Sequence, residues 1–469
     1  MVTMEKIVSL CKRRGFVYPG SEIYGGLANT WDYGPLGALV LSNIKKLWWE
    51  RFVEKRDNIF PVDTGIIMNP KVWEASGHVA SFTDPLVECK NCHLRFREDH
   101  LQAINTVRSK TVPFLTTTVS LDKDQKIALI ESQVCKKSSD GKHKWTERKL
   151  FNLMFKTFIG PTEEKASVTY LRPETAQGMF VNFKNILNTE RPELPFGIAQ
   201  IGKAFRNEIT PGNFIFRTLE FEQMEIEYFV RQGDWERVFE EWKKEMWKWL
   251  VDIGVKTDDN HLKWRPHEQK ELSHYSKRTE DVEFNFPFGW GELYGLAYRG
   301  DYDLHNHENY LNNTQKLSGQ NLKYKDPNTG EEFFPHVVEP TFGVNRTFLA
   351  ILLSAYEEED DRVVLKLNPH IAPYKVAVFP LVANKEELVK KAKEIYLVLR
   401  LKLPTAWDDR GNIGKRYYAQ DEIGTPWCVT IDYQTLEDDT VTVRDRDTMK
   451  QERVEISNLK SVIDKRLGY

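Results

Sequence analysis

The stretch from Ile198 to Phe229 reads IAQIGKAFRNEITPGNFIFRTLEFEQMEIEYF, and two strands joined by a turn account for it. Ile198 to Phe205 has strand length and composition. Pro211-Gly212-Asn213 supplies turn residues, and the chain resumes as Phe214 to Phe229. Side chains alternate faces along a strand, so Arg206 and Glu208 share a face with Ala204. On the return, Arg217, Phe221, Gln223, Glu225 and Glu227 fall on one face. Glu222, Met224, Ile226 and Tyr228 fall on the other. Antiparallel sheets commonly show water one face, so a solvated outer face would explain the alternation. The particular residues say more. Two arginines grip a polyphosphate bidentately, an aromatic ring stacks on a base or holds a cation, and carboxylates take Mg²⁺ or an ammonium group.

A second stretch pairs with the first. Glu339-Pro340-Thr341-Phe342-Gly343-Val344-Asn345-Arg346 leads into the apolar run Thr347 to Leu353, dense enough for a buried helix. Arg346 falls in its first turn, after a glycine that lets backbone approach closely. An unpaired buried charge is costly, so Arg346 is either an ion-pair partner or a phosphate clamp.

The whole chain has 469 residues, room for two to four domains. It is 41% hydrophobic and 29% charged, enough to bury cores and stay in solution. Lys+Arg total 66 against Asp+Glu 69, so any nucleic-acid contact must come from local basic patches. The start, MVTMEKIVSLCKRRGF, lacks the apolar stretch of a signal peptide, and no run of about 18 apolar residues predicts a membrane span. Five cysteines are an odd count for a disulfide framework, so reduced thiols in a cytoplasm are expected.

Punctuation along the chain predicts four regions: 1–87 with a helix from Leu36 to Lys55, 88–150 polar with Cys89, Cys92 and Cys135, 151–368 rich in strands, and 369–469. The last region reads strand (Lys375 to Phe379), helix, strand (Cys428 to Ile431), the alternation of a small α/β domain. Asp234 is expected to cap a helix carrying Trp235, Phe239, Trp242, Met246 and Leu250. Asn384 with Glu387 has capping-box spacing ahead of the stripe Leu388, Ala392, Ile395, Tyr396 and Leu399.

Phe205-Arg206-Asn207-Glu208 with the returning Arg217 and Phe221 resembles motif 2 of the class II aminoacyl-tRNA synthetases. Gly343-Val344-Asn345-Arg346 resembles motif 3, and Gly37 through Pro61 resembles motif 1. The glycine-specific synthetase family is closer still and covers nearly the whole chain. That resemblance rests on Trp31-Asp32-Tyr33-Gly34-Pro35-Leu36-Gly37, Ala75-Ser76-Gly77-His78, Phe82-Thr83-Asp84-Pro85-Leu86, Arg95-Phe96-Arg97-Glu98-Asp99-His100, Phe151-Asn152-Leu153-Met154-Phe155, Leu171-Arg172-Pro173-Glu174-Thr175-Ala176-Gln177-Gly178, Gly289-Trp290-Gly291-Glu292-Leu293 and Glu339-Pro340-Thr341-Phe342-Gly343. Gly424-Thr425-Pro426-Trp427-Cys428 and Val441 through Asp447 resemble the family's anticodon-binding domain.

The resemblance implies an α+β fold: an antiparallel-sheet catalytic core with flanking helices, followed by a C-terminal α/β anticodon-binding domain. It implies a homodimer that uses ATP, Mg²⁺ and glycine and charges tRNA(Gly). Arg206 and Arg346 are the implied catalytic residues. The implied ATP site comprises these two with Asn207, Glu208, Phe216, Arg217, Thr218, Leu219, Glu220, Phe221, Glu292, Leu293, Gly343, Val344 and Asn345. Within it Phe221 is expected to stack on adenine, with Arg346 closing the other side. Glu208 is expected at adenine and Glu292 at Mg²⁺. The implied glycine site comprises Arg97, Glu174, Phe221, Glu222, Gln223, Met224, Glu225, Glu339, Pro340, Thr341, Phe342 and Gly343. Thr341 stands where the family usually has Ser, and Asn345 where it usually has Asp. Arg410, Lys415 and Arg416 are expected at the tRNA backbone. Cys89-Lys90-Asn91-Cys92 is half of a zinc knuckle. Cys135 and His143 would complete a tetrahedral set, but their spacing is irregular, and free thiols with no metal are expected ahead of structural zinc.

Two rival readings are disfavoured by the acidic residues around Glu339-Pro340-Thr341 and by the presence of Arg206, Arg217 and Arg346. A synthetase for threonine or proline would lack the acidic pocket, and a non-catalytic relative would be expected to lose Arg206, Arg217 or Arg346.

Overall fold

The structure is a computed structural model, and it describes residues 2–97, 135, 137–161, 168–208, 212–273, 275–314 and 321–468. Its centre is a seven-stranded sheet. In spatial order the strands are Leu262–Pro266, Arg278–Phe286, Gly289–Gly300, His336–Gly343, Glu220–Val230, Phe196–Phe205 and Ile59–Pro61. All neighbours run antiparallel except the last pair. The hairpin expected from Ile198 to Phe229 therefore lies within the sheet, with helices on one face and a pocket on part of the other.

One face packs on helices. Pro35–Trp49 starts with a proline, whose missing N–H costs nothing at that position, and buries Leu36, Val40, Ile44 and Trp48 at helical spacing. The turn Glu50–Glu54 continues it with a wider winding. Trp235–Asp252 and the apolar Val344–Ala355 cover the same face, where Met224, Ile226, Val338 and Phe342 meet Trp48, Phe52 and Trp242. The other face is covered only at one end. There the helix Ala176–Glu190 lays Phe180 and Phe183 on Phe196, Ile198 and Phe229. Gly178 permits that approach, because a Cβ there would stand 2.1 Å from Thr64 Oγ1. The rest of this face is left open as a pocket.

A separate five-stranded sheet follows, in the order Thr405–Trp407, Val376–Pro380, Trp427–Ile431, Thr440–Asp445, Gln451–Glu455. Its first three strands are parallel, and the helices Glu386–Arg400 and Ile456–Leu467 bury Leu388, Ile395, Leu459 and Ile463 against it. A small three-stranded sheet, Arg95–Arg97, Thr83–Glu88, Lys149–Asn152, forms the neck of the insertion.

Two caps differ from expectation. Asp234 ends a 3₁₀ turn in helical geometry, and its carboxylate faces Arg237 at 3.4 Å instead of a backbone N–H. The second helix is capped by Lys385, in extended geometry with no side-chain cap. Asn384 therefore falls outside the cap, and its three-residue relation to Glu387 no longer spans first donor and acceptor. Arg416 is not a surface contact: it is buried, donating to Arg410, Gly411 and Pro380 carbonyls.

Candidate active site

The period-two register builds a row across the sheet. Asp281 faces Gly295, Gly295 faces Thr341, Thr341 faces Glu225, and Glu225 faces Gln200. All five project to the open face. While Gln200 is buried against Thr64, Asp281, Gly295, Thr341 and Glu225 floor a cavity there of about 270 Å³, near the lower end of small-molecule sites at roughly 300 Å³. Gly295 leaves its middle clear. The point where a Gly295 Cβ would stand is 3.9 Å from both Asp281 Oδ1 and Glu292 Oε1, so two hard oxygen donors converge over it.

One end of the cavity is cationic and aromatic. Arg206 extends from the end of the Phe196–Phe205 strand, with its guanidinium 5.3 Å from the Phe221 ring centre and 5.4 Å from that of Phe82. Its Nε donates to the Pro173 carbonyl at 3.0 Å. Arg346, in the first turn of Val344–Ala355, lies 4.5 Å over the Phe216 ring. It donates to the Glu292 carbonyl at 2.8 Å and pairs with the Glu292 carboxylate at 3.0 Å. Burial works to raise the Glu292 carboxyl, but Arg346, Arg206 and Arg217 outweigh it and hold it low. Burial and repulsion from Glu292 push Asp281 up to about 7, against the pull of His267. Glu208 and Arg217 complete this end.

The other end is closed and acidic. Thr341 Oγ1 sits 2.9 Å from Glu225 Oε1 and 3.0 Å from Glu339 Oε1. Thr175 donates to the second oxygen of Glu225. Behind them Arg299 is fully buried. It grips Asp303 with two bonds of 2.7 and 2.8 Å, donates to Glu339 at 2.8 Å, and lies 3.7 Å over the Tyr275 ring. Glu174 receives Gln177 at 3.1 Å and faces His78 Nε2 at 3.4 Å. Burial raises the Glu174 carboxyl, but His78, Arg299 and Gln177 more than reverse it and keep it charged. Glu225 goes the other way: burial, then repulsion from Glu339, raises it well above the ordinary range. Glu227, beneath it, is raised for the same two reasons, and neither of its oxygens has a hydrogen-bond partner. This end therefore holds more carboxylates than cations to match them.

The fold brings Arg206, Glu208, Phe216, Arg217, Thr218, Phe221, Glu222, Gln223, Glu225, Glu174, Glu292, Leu293, Glu339, Thr341, Gly343, Asn345 and Arg346 to one cavity. Other implied residues stand elsewhere. Met224 and Phe342 point the opposite way, into the apolar core, because strand alternation puts them on the helix-covered face, and Val344 enters the same core from the start of the helix Val344–Ala355. Pro340 lies in the strand opposite Leu296, one residue out of phase with Glu339 and Thr341. Glu220 is exposed and pairs with Lys203. Leu219 and Asn207 take part through backbone: Leu219 O accepts from Arg206 N at 3.0 Å, and Asn207 N donates to Leu153 O at 2.8 Å. The Arg97 backbone pairs with Leu86, but its side chain lies outside the described residues. Glu222 binds Lys45 at 2.9 Å. Asn345 ties three segments, donating to Tyr33 OH at 2.6 Å and accepting from Glu222 N at 2.9 Å.

Arg299, Tyr275, His78, Gln177 and Asp281 had no role in the sequence reading. One signal for Arg299 was available: an arginine closing the apolar run Leu296-Ala297-Tyr298, with Asp303 four residues on.

Comparison with known proteins adds an independent line. The profile described as "tRNA synthetase class II core domain (G, H, P, S and T)" matches residues 157–356, and "Anticodon binding domain" matches 375–466. A glycine–tRNA ligase of Caldanaerobacter subterraneus subsp. tengcongensis is 50% identical, over 100% of this chain and 99% of its own length. One from Clostridium perfringens is 49% identical over the same shares. Among solved structures, a prolyl-tRNA synthetase from Cryptosporidium parvum, complexed with L-proline and AMP, matches with a TM-score of 0.61 at 14% identity, covering 98% of this chain and 77% of that one. At that identity the likeness speaks for the fold alone.

Proposed function

The chain belongs to the glycine–tRNA ligase family of class II aminoacyl-tRNA synthetases, and from that premise we propose how its pocket joins glycine to tRNA. The reaction has two steps. A glycine carboxylate oxygen attacks the α-phosphorus of ATP and pyrophosphate leaves, giving glycyl-adenylate. A terminal ribose hydroxyl of tRNA(Gly) then attacks the glycyl carbonyl and AMP leaves. The protein contributes position and charge more than covalent chemistry.

In this reading Arg206 takes the α-phosphate, where charge builds in the transition state, and Arg217 steadies the outer phosphates. The adenine stacks on Phe221, and Arg346 closes the nucleotide from its seat on Phe216. Glu208 contacts adenine. Glu292, with Asp281 beside it, supplies the oxygen donors that suit Mg²⁺; that ion, when bound, neutralises phosphate charge. Glu174, Glu225 and Glu339 surround the ammonium of glycine, and Arg97 is assigned to the same side. Thr341 and Tyr275 close the wall beside Cα, so a side chain has nowhere to go.

One observation carries the glycine assignment: the closed end of the cavity gathers three carboxylates, Glu174, Glu225 and Glu339, and Thr341 around a space shared with Tyr275 and the small Ala297. A substrate held there is read by its charge and by having nothing more. A proline or threonine site would need an apolar or hydroxyl-binding recess as well. The anticodon-domain match supports assigning 369–469 to the anticodon arm, with 88–150 as an insertion in a catalytic unit made of 1–87 and 151–368. We assign the enzyme to the cytoplasm and to a homodimer; no described helix is long and apolar enough to cross a membrane.

Pyrophosphate exchange into ATP tests the reading. Glycine should drive it, and alanine, proline and threonine should not. Exchange driven by another amino acid in preference to glycine, or by none, overturns the assignment.

A further inference from the structure

The polar stretch between the strands Thr83–Glu88 and Lys149–Asn152 gathers Cys89, Cys92, Cys135 and His143. Their spacing along the chain is irregular, but one donor atom from each lies within 4.8 Å of every other. The Cys89 and Cys135 sulfurs are 3.8 Å apart, and Cys92 Sγ is 3.5 Å from His143 Nδ1. A tetrahedral zinc with Zn–S near 2.3 Å and Zn–N near 2.0–2.1 Å has edges of about 3.8 Å between sulfurs and about 3.6 Å between sulfur and nitrogen. The observed spacings match both edges. A disulfide between Cys89 and Cys135 would need about 2.05 Å.

The surrounding backbone holds this geometry. Cys89 opens a turn in which His93 N donates to Cys89 O at 2.9 Å and Cys89 N to Leu94 O at 2.8 Å. Cys135 opens another, with Ser138 N donating to Cys135 O at 3.1 Å and Cys135 N to Gly141 O at 2.8 Å. Lys90 N bonds Lys144 O at 2.7 Å and links the first turn to the segment carrying His143. The imidazole is stacked on Trp145 at 4.7 Å and 10°, which fixes the plane in which Nδ1 faces the sulfurs. Cys89 and Cys135 are buried.

We propose that Cys89, Cys92, Cys135 and His143 bind a structural zinc ion that ties together the outgoing and returning segments at the neck of the insertion. Four protein donors complete the tetrahedron and leave no position for water or substrate, which marks a structural and not a catalytic metal. The neck adjoins the candidate active site. Its outgoing strand starts beside Phe82, whose ring faces Arg206, and its returning strand leads into Leu153, whose carbonyl receives Asn207 N. The metal thus anchors the support on which the Arg206 segment rests. The inference stands apart from the choice of amino acid, because its test reads metal and not catalysis.

The test is elemental analysis of the full chain, purified without a histidine tag and passed over a chelating resin. About one zinc per chain is expected. His143→Ala and Cys92→Ser should hold several-fold less, whereas Cys11→Ser and Cys428→Ser should keep it. Cobalt chloride added to chelated wild-type protein should give the intense visible bands of tetrahedral thiolate cobalt, a readout that survives if a variant fails to fold. Wild-type protein with less than about a tenth of a zinc per chain and no such bands overturns the proposal. So does zinc retained equally by both ligand variants.

Discussion

Arg206 and Glu225 stand at opposite ends of one cavity, and each allows a sharp expectation. Among the described residues Arg206 is held by a backbone carbonyl and two aromatic rings and forms no close ion pair, so its charge is available to a ligand. One preorganised contact to a developing charge is worth roughly 3–4 kcal/mol, and removing it costs about 10²–10³-fold in rate. Arg206→Ala should lower glycine-dependent exchange by that factor with an unchanged thermal unfolding midpoint; near-normal exchange would sink the phosphate assignment. Glu225 gives a pH dependence whose sign can be worked out. Burial and Glu339 raise its carboxyl, so in the empty pocket it keeps its proton beyond the pH where an ordinary glutamate has lost it. The glycine ammonium requires the carboxylate. Binding must therefore expel a proton, and apparent affinity for glycine should rise with pH until Glu225 ionises in the free enzyme. Charge-assisted bonds are worth about 1.5–3 kcal/mol, so Glu225→Gln should raise the glycine KM roughly 10- to 150-fold, change the ATP KM little, and flatten that acidic limb. Exchange kinetics across pH on both proteins decide it: a limb that survives in the variant belongs to another group.

At the scale of elements, the hairpin was legible because a strand's period of two sorts residues by face with no knowledge of the partner. Phe221, Gln223, Glu225 and Glu227 could be grouped from Ile198 to Phe229 alone. What could not be read is which partners come from afar. Arg299 meets Glu339 and Glu174 only once distant segments have converged, and Cys135 meets Cys89 across 46 positions. The helix caps failed for a local reason: Asp234 found a better partner in Arg237 than in backbone N–H groups. Arg416 was misplaced because a basic residue in a polar helix reads as solvated unless three carbonyls await it. The same blindness covers the charge cluster joining the C-terminal sheet to the core. Asp421, on the helix Ile413–Ile423, is fully buried and accepts from Arg362 at 2.6 Å and from Arg444 at 2.8 and 2.9 Å. Removing one member of a buried ionic set leaves its partners desolvated and unpaired, which costs about 3–5 kcal/mol. Asp421→Ala should destabilise the chain by that amount in denaturant unfolding, with the loss confined to the transition that reports the C-terminal sheet. A loss below about 1 kcal/mol would mean that water reaches the two arginines.

At the scale of the whole molecule, the seven-stranded and five-stranded sheets are joined through side-chain contacts between the units that carry them. Arg13 and Arg14 of the first helix pair with Glu422, Arg362 reaches Asp421, and Ile423 joins the catalytic core cluster. Ile371 and Ala372 also pack in that cluster, and Asn43 donates to both their carbonyls at 3.0 Å. They belong physically to the catalytic side, although they follow position 369. A truncation that tests the division of labour should therefore end after Tyr374. No residue beyond that point lines the active-site cavity, so exchange driven by glycine should stay within a few-fold of the full chain. Transfer to tRNA should not. If the C-terminal sheet supplies even two charge-assisted contacts of about 1.5–3 kcal/mol each to the RNA, their loss lowers kcat/KM for aminoacylation by at least about 10²-fold. The loss should appear mainly in KM for tRNA, because the adenylate forms elsewhere. Salt separates this from a general weakening, since phosphate contacts release counterions: the full chain should lose tRNA affinity steeply as salt rises, and the truncated chain should show a shallower slope. Equal slopes and equal charging rates would mean that this sheet does not hold the tRNA, whatever its resemblance to domains that do.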